Sequence, residues 1–210
     1  QERLTVERIC ALPDHRHPLH ILDLACGTGR VTHRILQALP ETTRLTMVDF
    51  NPHTLDRARR YLGPRPTLTI RCLDAYQVGS AFEEQFDVVV CLDFLHHVSQ
   101  PGLLLSQIER VLRPSGILIG NVFAERTYTE WDRIKYGLLR STRRRILNTL
   151  SRRLYRHSPR LPRKIIRLLG LARIAPVRER DLIRLLQAHF DHIETVTTYY
   201  HWFSATKPSP

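Results

Sequence analysis

The chain has 210 residues, of which 42% are hydrophobic, and this suits one compact domain with a buried core rather than a disordered chain. No apolar run approaches the roughly 18 to 20 residues that a membrane-spanning helix needs. The first residue is Gln1, and no basic segment followed by a long apolar stretch opens the sequence, so we expect no secretory signal.

The formal charge of +12 is concentrated in one segment. Between Arg126 and Arg180 the chain holds 17 Lys or Arg residues and three acidic residues, a net charge of +14. The remainder holds 15 basic and 17 acidic residues, a net charge of −2. The sequence therefore predicts an ordinary, nearly neutral domain that carries one strongly basic segment.

The apolar pattern predicts helices and strands that alternate along the chain. After a helix over residues 2–12, strands are predicted over 20–25, 44–49, 68–72, 86–92 and 117–123, with helices between them over 31–39, 52–62 and 101–112. The last part adds a helix over 179–190 and an antiparallel pair over 192–199 and 202–205. This alternation predicts a doubly wound α/β fold, in which a mostly parallel seven-stranded sheet has helices on both faces.

The four cysteines lie far apart and form no Cys-x-x-Cys pair. Cys26, Cys72 and Cys91 fall in or beside predicted strands, where a free thiol behaves as a small buried hydrophobe. The pattern favours a reducing, cytosolic compartment over a disulfide framework. His15, His17 and His20 belong to a Pro-rich segment just before a strand, which favours a solvated turn, and we expect no metal site.

A glycine pair and an acidic residue occupy neighbouring strand ends. Gly27 and Gly29 lie between the first strand and a helix, where glycine allows a sharp turn and a close approach to a ligand. Asp49 ends the second strand 22 positions after Gly27, close to the spacing of about 20 expected for a ribose-binding carboxylate. Ligands of such sheets lie at the carboxyl ends of the strands, so the sequence predicts a nucleoside site there.

Four motifs in this order resemble those of class I S-adenosylmethionine-dependent methyltransferases of the small-molecule type. They are Asp23-Leu-Ala-Cys-Gly-Thr-Gly29, Val48-Asp-Phe-Asn-Pro52, Phe86-Asp-Val-Val-Val-Cys-Leu-Asp-Phe-Leu-His-His-Val98 and Leu112-Arg-Pro-Ser-Gly-Ile-Leu118. The last motif departs from the family's usual Lys-Pro-Gly-Gly turn. The nearest competitor is a dinucleotide site, which expects a third glycine where this chain has Thr32, because a pyrophosphate must rest on the helix N-terminus.

The resemblance implies S-adenosylmethionine as the methyl donor, with S-adenosylhomocysteine as its product. Asp23 would order the glycine loop and approach the amino group of the donor, although it also suits a simple cap of Gly27 or Thr28. The backbone of Ala25, Gly27 and Gly29 would line the methionine moiety.

The resemblance also implies the adenosine contacts. Asp49 would bind the ribose and Phe50 would pack near the adenine. Asp74, with the backbone of Ala75, would accept from the exocyclic amine of adenine, although an aspartate at a strand end is also a common turn former. A loop from Leu92 to His97 would lie beside the sulfonium. We interpret Leu73, Asp93 and Val98 as packing or loop residues.

Two histidines are the candidates for a catalytic base. His96 and His97 leave the fourth strand toward the implied donor, and imidazole has a suitable ordinary pKa for proton transfer. One of them also suits a role in holding the loop. No Asn-Pro-Pro-Tyr or Asp-Pro-Pro-Tyr stretch follows the fourth strand, which counts against methylation of a nucleobase amine.

The basic segment is interpreted as an insertion into the methyltransferase core. The core would comprise residues 1–125 and 176–210, and residues 126–175 would form a helical acceptor lid after the fifth strand. Glu125, Tyr128 and Trp131 are candidate acceptor contacts. The arginine-rich amphipathic pattern suits a lid packed on the core, a helix on a membrane surface, or a nucleic-acid surface.

The sequence thus predicts a cytoplasmic enzyme, with peripheral membrane contact left open. It would transfer a methyl group from S-adenosylmethionine to a small or lipid-like acceptor by O- or N-methylation. The alternatives are an RNA methyltransferase that binds phosphates through the basic segment, and a non-catalytic methyltransferase-like binding domain.

Overall fold

A computed structural model describes residues 1–12, 18–82, 86–123, 178–197 and 200–208. The described residues form one seven-stranded sheet in the order β3-β2-β1-β4-β5-β7-β6. The first five strands run parallel, and β7 is antiparallel to both β5 and β6. This confirms the predicted doubly wound, mostly parallel α/β architecture.

The elements follow one another in nearly the predicted positions. The strands are β1 (His20–Leu24), β2 (Arg44–Asp49), β3 (Leu68–Cys72), β4 (Phe86–Cys91), β5 (Leu112–Phe123), β6 (Asp191–Thr197) and β7 (Tyr200–Thr206). The helices are α1 (Glu2–Cys10), α2 (Arg30–Ala38), α3 (Pro52–Leu62), α4 (Val78–Ala81), α5 (Pro101–Val111) and α6 (Glu179–Gln187), with 3₁₀ turns at Ala75–Gln77 and Leu95–His97.

Hydrophobic side chains cover both faces of the sheet, as a parallel sheet requires. On one face, Leu22 and Val89 pack with α5 and α6. On the other, Ile21 and Val88 pack with α1 and α2, and Met47 packs with α3 in a smaller cluster. The sheet is therefore the rigid support on which the loops at its carboxyl edge are mounted.

Local signals explain how α3 begins and ends. The side chain of Asn51 accepts hydrogen bonds from the backbone N–H of His53 and Thr54 at 3.0 and 3.4 Å, and Pro52 takes the first helical position. Gly63 follows the last turn with φ +68°. Both boundaries agree with the sequence prediction.

The structure differs from the predictions in two places. Helix α4 and the 3₁₀ turn before it are absent from the sequence prediction, because the segment is short and only Ala75 and Val78 are buried. The turn before β5 belongs to the strand: Leu112 pairs with Phe86, the register then shifts, and Ser115 takes φ +60°. Helix α5 accordingly ends at Val111, and α6 at Gln187, slightly earlier than expected.

The cysteine prediction is confirmed for only one of the three residues. Cys91 is buried, Cys26 is half-buried and Cys72 is exposed, because Cys72 lies on edge strand β3. Burial, with the nearby Asp23 adding to it, raises the pKa of the Cys26 and Cys91 thiols. These two thiols therefore stay neutral and are packing groups rather than nucleophiles.

Several sequence predictions fall outside the described residues. They include His15 and His17, the basic helical insertion over 126–175, and the acceptor candidates Glu125, Tyr128 and Trp131. Across the part of the chain that the structure describes, no helix has the length and apolar character to span a membrane. Within the same part, no group of three or more His, Cys, Asp or Glu residues is arranged to hold a metal ion.

Candidate functional site

The candidate site lies where the chain order of the strands reverses. β1 has β2 on one side and β4 on the other, so the connections that leave β1 and β4 go to opposite sides of the sheet. Such a switch point leaves a crevice at the carboxyl ends of the strands. Four of the predicted site segments, those that follow β1, β2, β3 and β4, start from this edge.

The loop after β1 has an unusual backbone. Ala25, Gly27 and Gly29 have φ values of +57°, +56° and +79°, so every second residue is left-handed. Ala25 takes this conformation although a Cβ disfavours it, a strain that tends to be retained at functional sites.

The two glycines are required for different physical reasons. A Cβ at Gly29 would lie 2.9 Å from Leu62 Cδ1 and 3.0 Å from Met47 Cε, so this glycine lets α2 and α3 pack under the loop. A Cβ at Gly27 would meet no atom within 4 Å. Gly27 therefore faces open space, where a ligand has room to approach its backbone.

Most of the loop's backbone donors are used within the protein. Cys26 N–H donates to Val48 O at 3.0 Å, and Gly29 N–H donates to Cys26 O at 3.1 Å. Gly27 N–H donates to Asp49 Oδ2 at 3.0 Å. These donors are therefore not presented to a phosphate, as they are in a glycine-rich phosphate loop.

The carboxylate of Asp23 lies at the N-terminal turn of α2. Its Oδ2 accepts a hydrogen bond of 2.5 Å from Thr32 Oγ1, and the Thr32 backbone N–H also stabilises it. Asp23 is 3% exposed and Thr32 is fully buried. Burial raises the pKa of Asp23 to about 7, with a smaller contribution from the charge of Asp49, while the bonds from Thr32 oppose the rise.

This arrangement gives Thr32 a role that sequence analysis missed. In the sequence, Thr32 is only the residue that replaces the third glycine of a dinucleotide site. In the structure it holds a carboxylate at the helix N-terminus, where the pyrophosphate of a dinucleotide would rest. The dinucleotide alternative therefore fails on geometry and on charge.

Asp49 is fixed by two backbone donors. Its Oδ2 accepts from Gly27 N–H at 3.0 Å and its Oδ1 from Asn51 N–H at 2.9 Å. Asp49 thus joins the loop after β1 to the turn after β2. It caps the N–H of Gly27, a role that the sequence also allowed for Asp23. Each of its oxygens keeps a further lone pair for an outside donor.

The residues predicted to surround the adenine follow β2 and β3. Phe50 is 70% exposed, so its ring is accessible to a ligand. Asp74 is exposed, and its Oδ1 caps the following 3₁₀ turn by accepting from Tyr76 N–H at 2.9 Å. The turn-forming role of Asp74 is thus present, and Ala75 is buried beneath it.

The loop after β4 is held by a pair that sequence analysis missed. Asp93 takes φ +55°, its N–H donates to Asn121 Oδ1 at 2.5 Å, and Asn121 Nδ2 donates back to Asp93 Oδ1 at 2.9 Å. Asn121 lies on β5 and is fully buried. The sequence indicates only a loop residue at Asp93, because no nearby signal points to the partner 28 positions away.

The two candidate histidines have different environments. His96 is 5% exposed, whereas His97 is exposed, and their ring centroids are 4.2 Å apart. Leu92, where this loop begins, is half-buried and packs against the α1 and α2 side of the core. Only His97 of the two therefore has a ring that faces solvent.

Comparison with known proteins finds methyltransferases. Residues 22–118 match a family model described as a methyltransferase domain. The malonyl-[acyl-carrier protein] O-methyltransferase of Paenibacillus sp. (strain JDR-2) is 30% identical over 113 residues, which are 52% of this chain and 41% of that protein. The chain thus spans about two fifths of this relative's length.

Solved structures share the fold of the described residues. A carbon methyltransferase, CurJ, superposes with a TM-score of 0.69 at 18% identity, covering 99% of this chain and 53% of that one. Magnesium protoporphyrin IX methyltransferase from Synechocystis PCC 6803, solved with bound S-adenosylhomocysteine, gives a TM-score of 0.62 at 16% identity, covering 98% and 81%.

The resemblance to class I S-adenosylmethionine-dependent methyltransferases stated from the motifs is confirmed by this domain match and by the shared fold. The matched segment includes both sides of the switch point, from β1 to the first part of β5.

Proposed function

We propose that this protein binds S-adenosylmethionine at the carboxyl edge of β1, β2 and β3 and transfers its methyl group to a small or lipid-like acceptor. The observation that carries this proposal is the pair of carboxylates, Asp23 and Asp49, in and beside the glycine loop. An acidic loop whose N–H groups are already bonded suits a ligand that carries positive charge and no phosphate.

The residues present fit the methionine part of this donor. The open space at Gly27 leaves room for the chain of the amino acid, and the backbone of Ala25 and Gly29 lies on the same loop. Asp23 lies beneath the loop, where its negative charge would favour the donor's ammonium group directly or through water. Because burial holds its pKa near 7, a bound cation would favour the ionised carboxylate.

The adenosine part fits the ends of β2 and β3. Asp49 keeps a free lone pair on each oxygen and would accept the hydrogens of the ribose hydroxyls. The exposed ring of Phe50 would cover the adenine, and Asp74 with the backbone of Ala75 would bind its amine edge. Leu92 would contact the donor from the end of β4.

The chemical step asks little of the protein beyond alignment and exclusion of water. The donor supplies an electrophilic methyl carbon, and an acceptor oxygen or nitrogen displaces the sulfur in line with it. His97 would take the acceptor's proton, since it is the exposed histidine of the loop after β4. His96 is buried in the same loop and would position it.

The relative from Paenibacillus favours oxygen as the accepting atom, because it is an O-methyltransferase. The basic segment over 126–175, with Glu125, Tyr128 and Trp131, would supply the acceptor pocket and any contact with a membrane surface. A net charge of +14 between Arg126 and Arg180 also supports the RNA alternative, which predicts binding that weakens steeply with salt.

The test is transfer of a tritiated methyl group from S-adenosylmethionine to a panel that contains a phenol, an amine, a carboxylic acid, a lipid quinol and a structured RNA. We expect one of the first four to be labelled, and Asp49→Ala to abolish that labelling. Labelling of RNA alone would establish the alternative. S-adenosylhomocysteine binding without transfer to any acceptor would support a non-catalytic domain.

A further inference from the structure

The pair formed by Asp93 and Asn121 has no role in the assignments above, although it is the most tightly specified feature of the loop after β4. Both partners donate and both accept, so the amide of Asn121 is matched to residue 93 in one orientation only. The backbone of Asp93 is held left-handed, which a residue with a Cβ rarely adopts. A buried amide is therefore used to fix an exposed carboxylate.

The topology of the sheet puts Asp93 near the glycine loop. β1 and β4 are adjacent and parallel, and their register pairs Asp23 with Val90. Cys26 follows the last residue of β1 by two positions, and Asp93 follows the last residue of β4 by two positions. Neighbouring strands are about 5 Å apart, and both chains leave the same edge of the sheet. Asp93 therefore lies on the β4 side of the crevice, as Asp49 lies on the β2 side.

The bond to Asn121 uses one oxygen of Asp93. Oδ1 accepts from Asn121 Nδ2, while the side chain as a whole stays exposed. A fixed carboxylate at a crevice edge favours a positive ligand group without moving to meet it, so little reorganisation is needed on binding.

We propose that Asp93, positioned by Asn121, is a specificity-determining residue that favours the charged sulfonium of S-adenosylmethionine over the neutral thioether of S-adenosylhomocysteine. This inference rests on the proposed function. The two ligands share their adenosine and amino-acid parts and differ only in one methyl group and one positive charge. The ratio of their affinities therefore isolates the interaction at sulfur from effects on the shared contacts.

Asp93→Asn is the decisive variant because it removes the charge and keeps the pair. The introduced amide would still offer a carbonyl oxygen to Asn121 Nδ2, and the backbone N–H at this position is unchanged. Titration calorimetry with S-adenosylmethionine and S-adenosylhomocysteine, at low salt, should show the first ligand weakened about three- to tenfold and the second less than about twofold. Asp191→Asn is the matched control, an exposed aspartate at the start of β6 on the opposite edge of the sheet, and should leave both affinities unchanged.

Asn121→Ala tests the positioning role, since it leaves the charge at Asp93 and removes both hydrogen bonds. We expect it to lose most of the preference for the sulfonium, with thermal unfolding used to confirm that the variant is folded. If Asn121→Ala does not fold, Asp93→Asn decides alone. Equal weakening of both ligands in Asp93→Asn, or no weakening of either, would overturn the inference, whereas a wild-type protein that binds neither ligand would contradict the proposed function instead.

Discussion

The β1–β2 side and the β4–β5 side of the crevice both hold aspartate carboxylates in place by hydrogen bonds, but the bonding partners differ. On the β1–β2 side, Asp23 and Asp49 are held by Thr32, Gly27 and Asn51, all within or directly after the motifs that contain the acids. On the β4–β5 side, Asp93 is held by Asn121 from the next strand of the sheet. On the first side the partners belong to the recognisable motifs or follow them closely, whereas on the second side Asn121 lies outside any motif that points to Asp93.

The largest loss of ligand affinity should come from a change on the β1–β2 side, where Asp49 has two roles. Asp49→Ala removes the ribose acceptor and the bond that fixes Gly27 N–H, so we expect S-adenosylhomocysteine affinity to fall at least about 100-fold. Calorimetry measures the affinity and circular dichroism checks the fold. A dissociation constant close to that of wild type would remove Asp49 from the site.

The two glycines of the same loop should separate stability from binding. Gly29→Ala meets Leu62 Cδ1 at 2.9 Å in a left-handed backbone, so we expect a loss of about 2–4 kcal/mol in the free energy of unfolding.

Gly27→Ala introduces the same kind of left-handed backbone strain, but its Cβ would meet no atom within 4 Å. We therefore expect it to lower the free energy of unfolding by only about 1–2 kcal/mol. Its methyl group would occupy the open space of the crevice, and donor affinity should fall more than stability suggests. Urea unfolding and calorimetry on both variants provide the comparison. Equal losses of stability would show that Gly27 is a packing glycine like Gly29.

The pH dependence of stability should report the burial of Asp23. Because its pKa rises from 3.8 to about 7 on folding, the folded chain holds this proton more tightly than the unfolded chain. The stability linked to that proton is present below about pH 4 and is lost as the pH rises through about 7. The wild-type protein carries a buried charge above that point.

Asp23→Asn should remove this dependence. Its oxygen can still accept from Thr32, so we expect the variant to match wild type near about pH 4 and to be more stable by about 2–4 kcal/mol near about pH 8, with weaker donor binding. Chemical denaturation at both pH values measures the difference. A stability difference that does not change between them would mean that Asp23 is ionised throughout this range.

The smallest predicted effect on the β1–β2 side concerns Thr32. Thr32→Val removes the 2.5 Å hydroxyl bond to Asp23 and keeps the shape of the side chain, so we expect a loss of about 1–2 kcal/mol in stability near neutral pH. Thr32→Ser keeps the hydroxyl and should lose less. If Thr32→Val loses no more stability than Thr32→Ser, the hydroxyl bond to Asp23 contributes no more than the packing of the Thr32 methyl group.

The sequence is informative wherever the determinants are local. Hydrophobic periodicity, helix caps and turn residues act over only a few positions, so the features that they determine are predictable. These features are the apolar runs of β1 and β4, the Asn51-Pro52 start of α3 and the glycine loop. The spacing of Gly27 and Asp49 even anticipates their proximity, which the structure shows as a hydrogen bond.

The remainder depends on contacts that one-dimensional patterns do not contain. Asn121 looks like an ordinary polar residue in an apolar strand until β5 is placed beside β4. In the sequence, Thr32 is notable only because it stands where a dinucleotide site has glycine. Its hydrogen bond to Asp23 depends on how the strand and the following helix are placed in the fold. Burial likewise separates His96 from its exposed neighbour His97, although the two are adjacent in sequence.

The most direct test of the central claim is a crystal structure of the protein with S-adenosylhomocysteine. It should place both ribose hydroxyls within hydrogen-bonding distance of Asp49, the adenine against Phe50 and the thioether sulfur between the glycine loop and Asp93. A ligand bound elsewhere, or one whose ribose does not contact Asp49, would contradict the account.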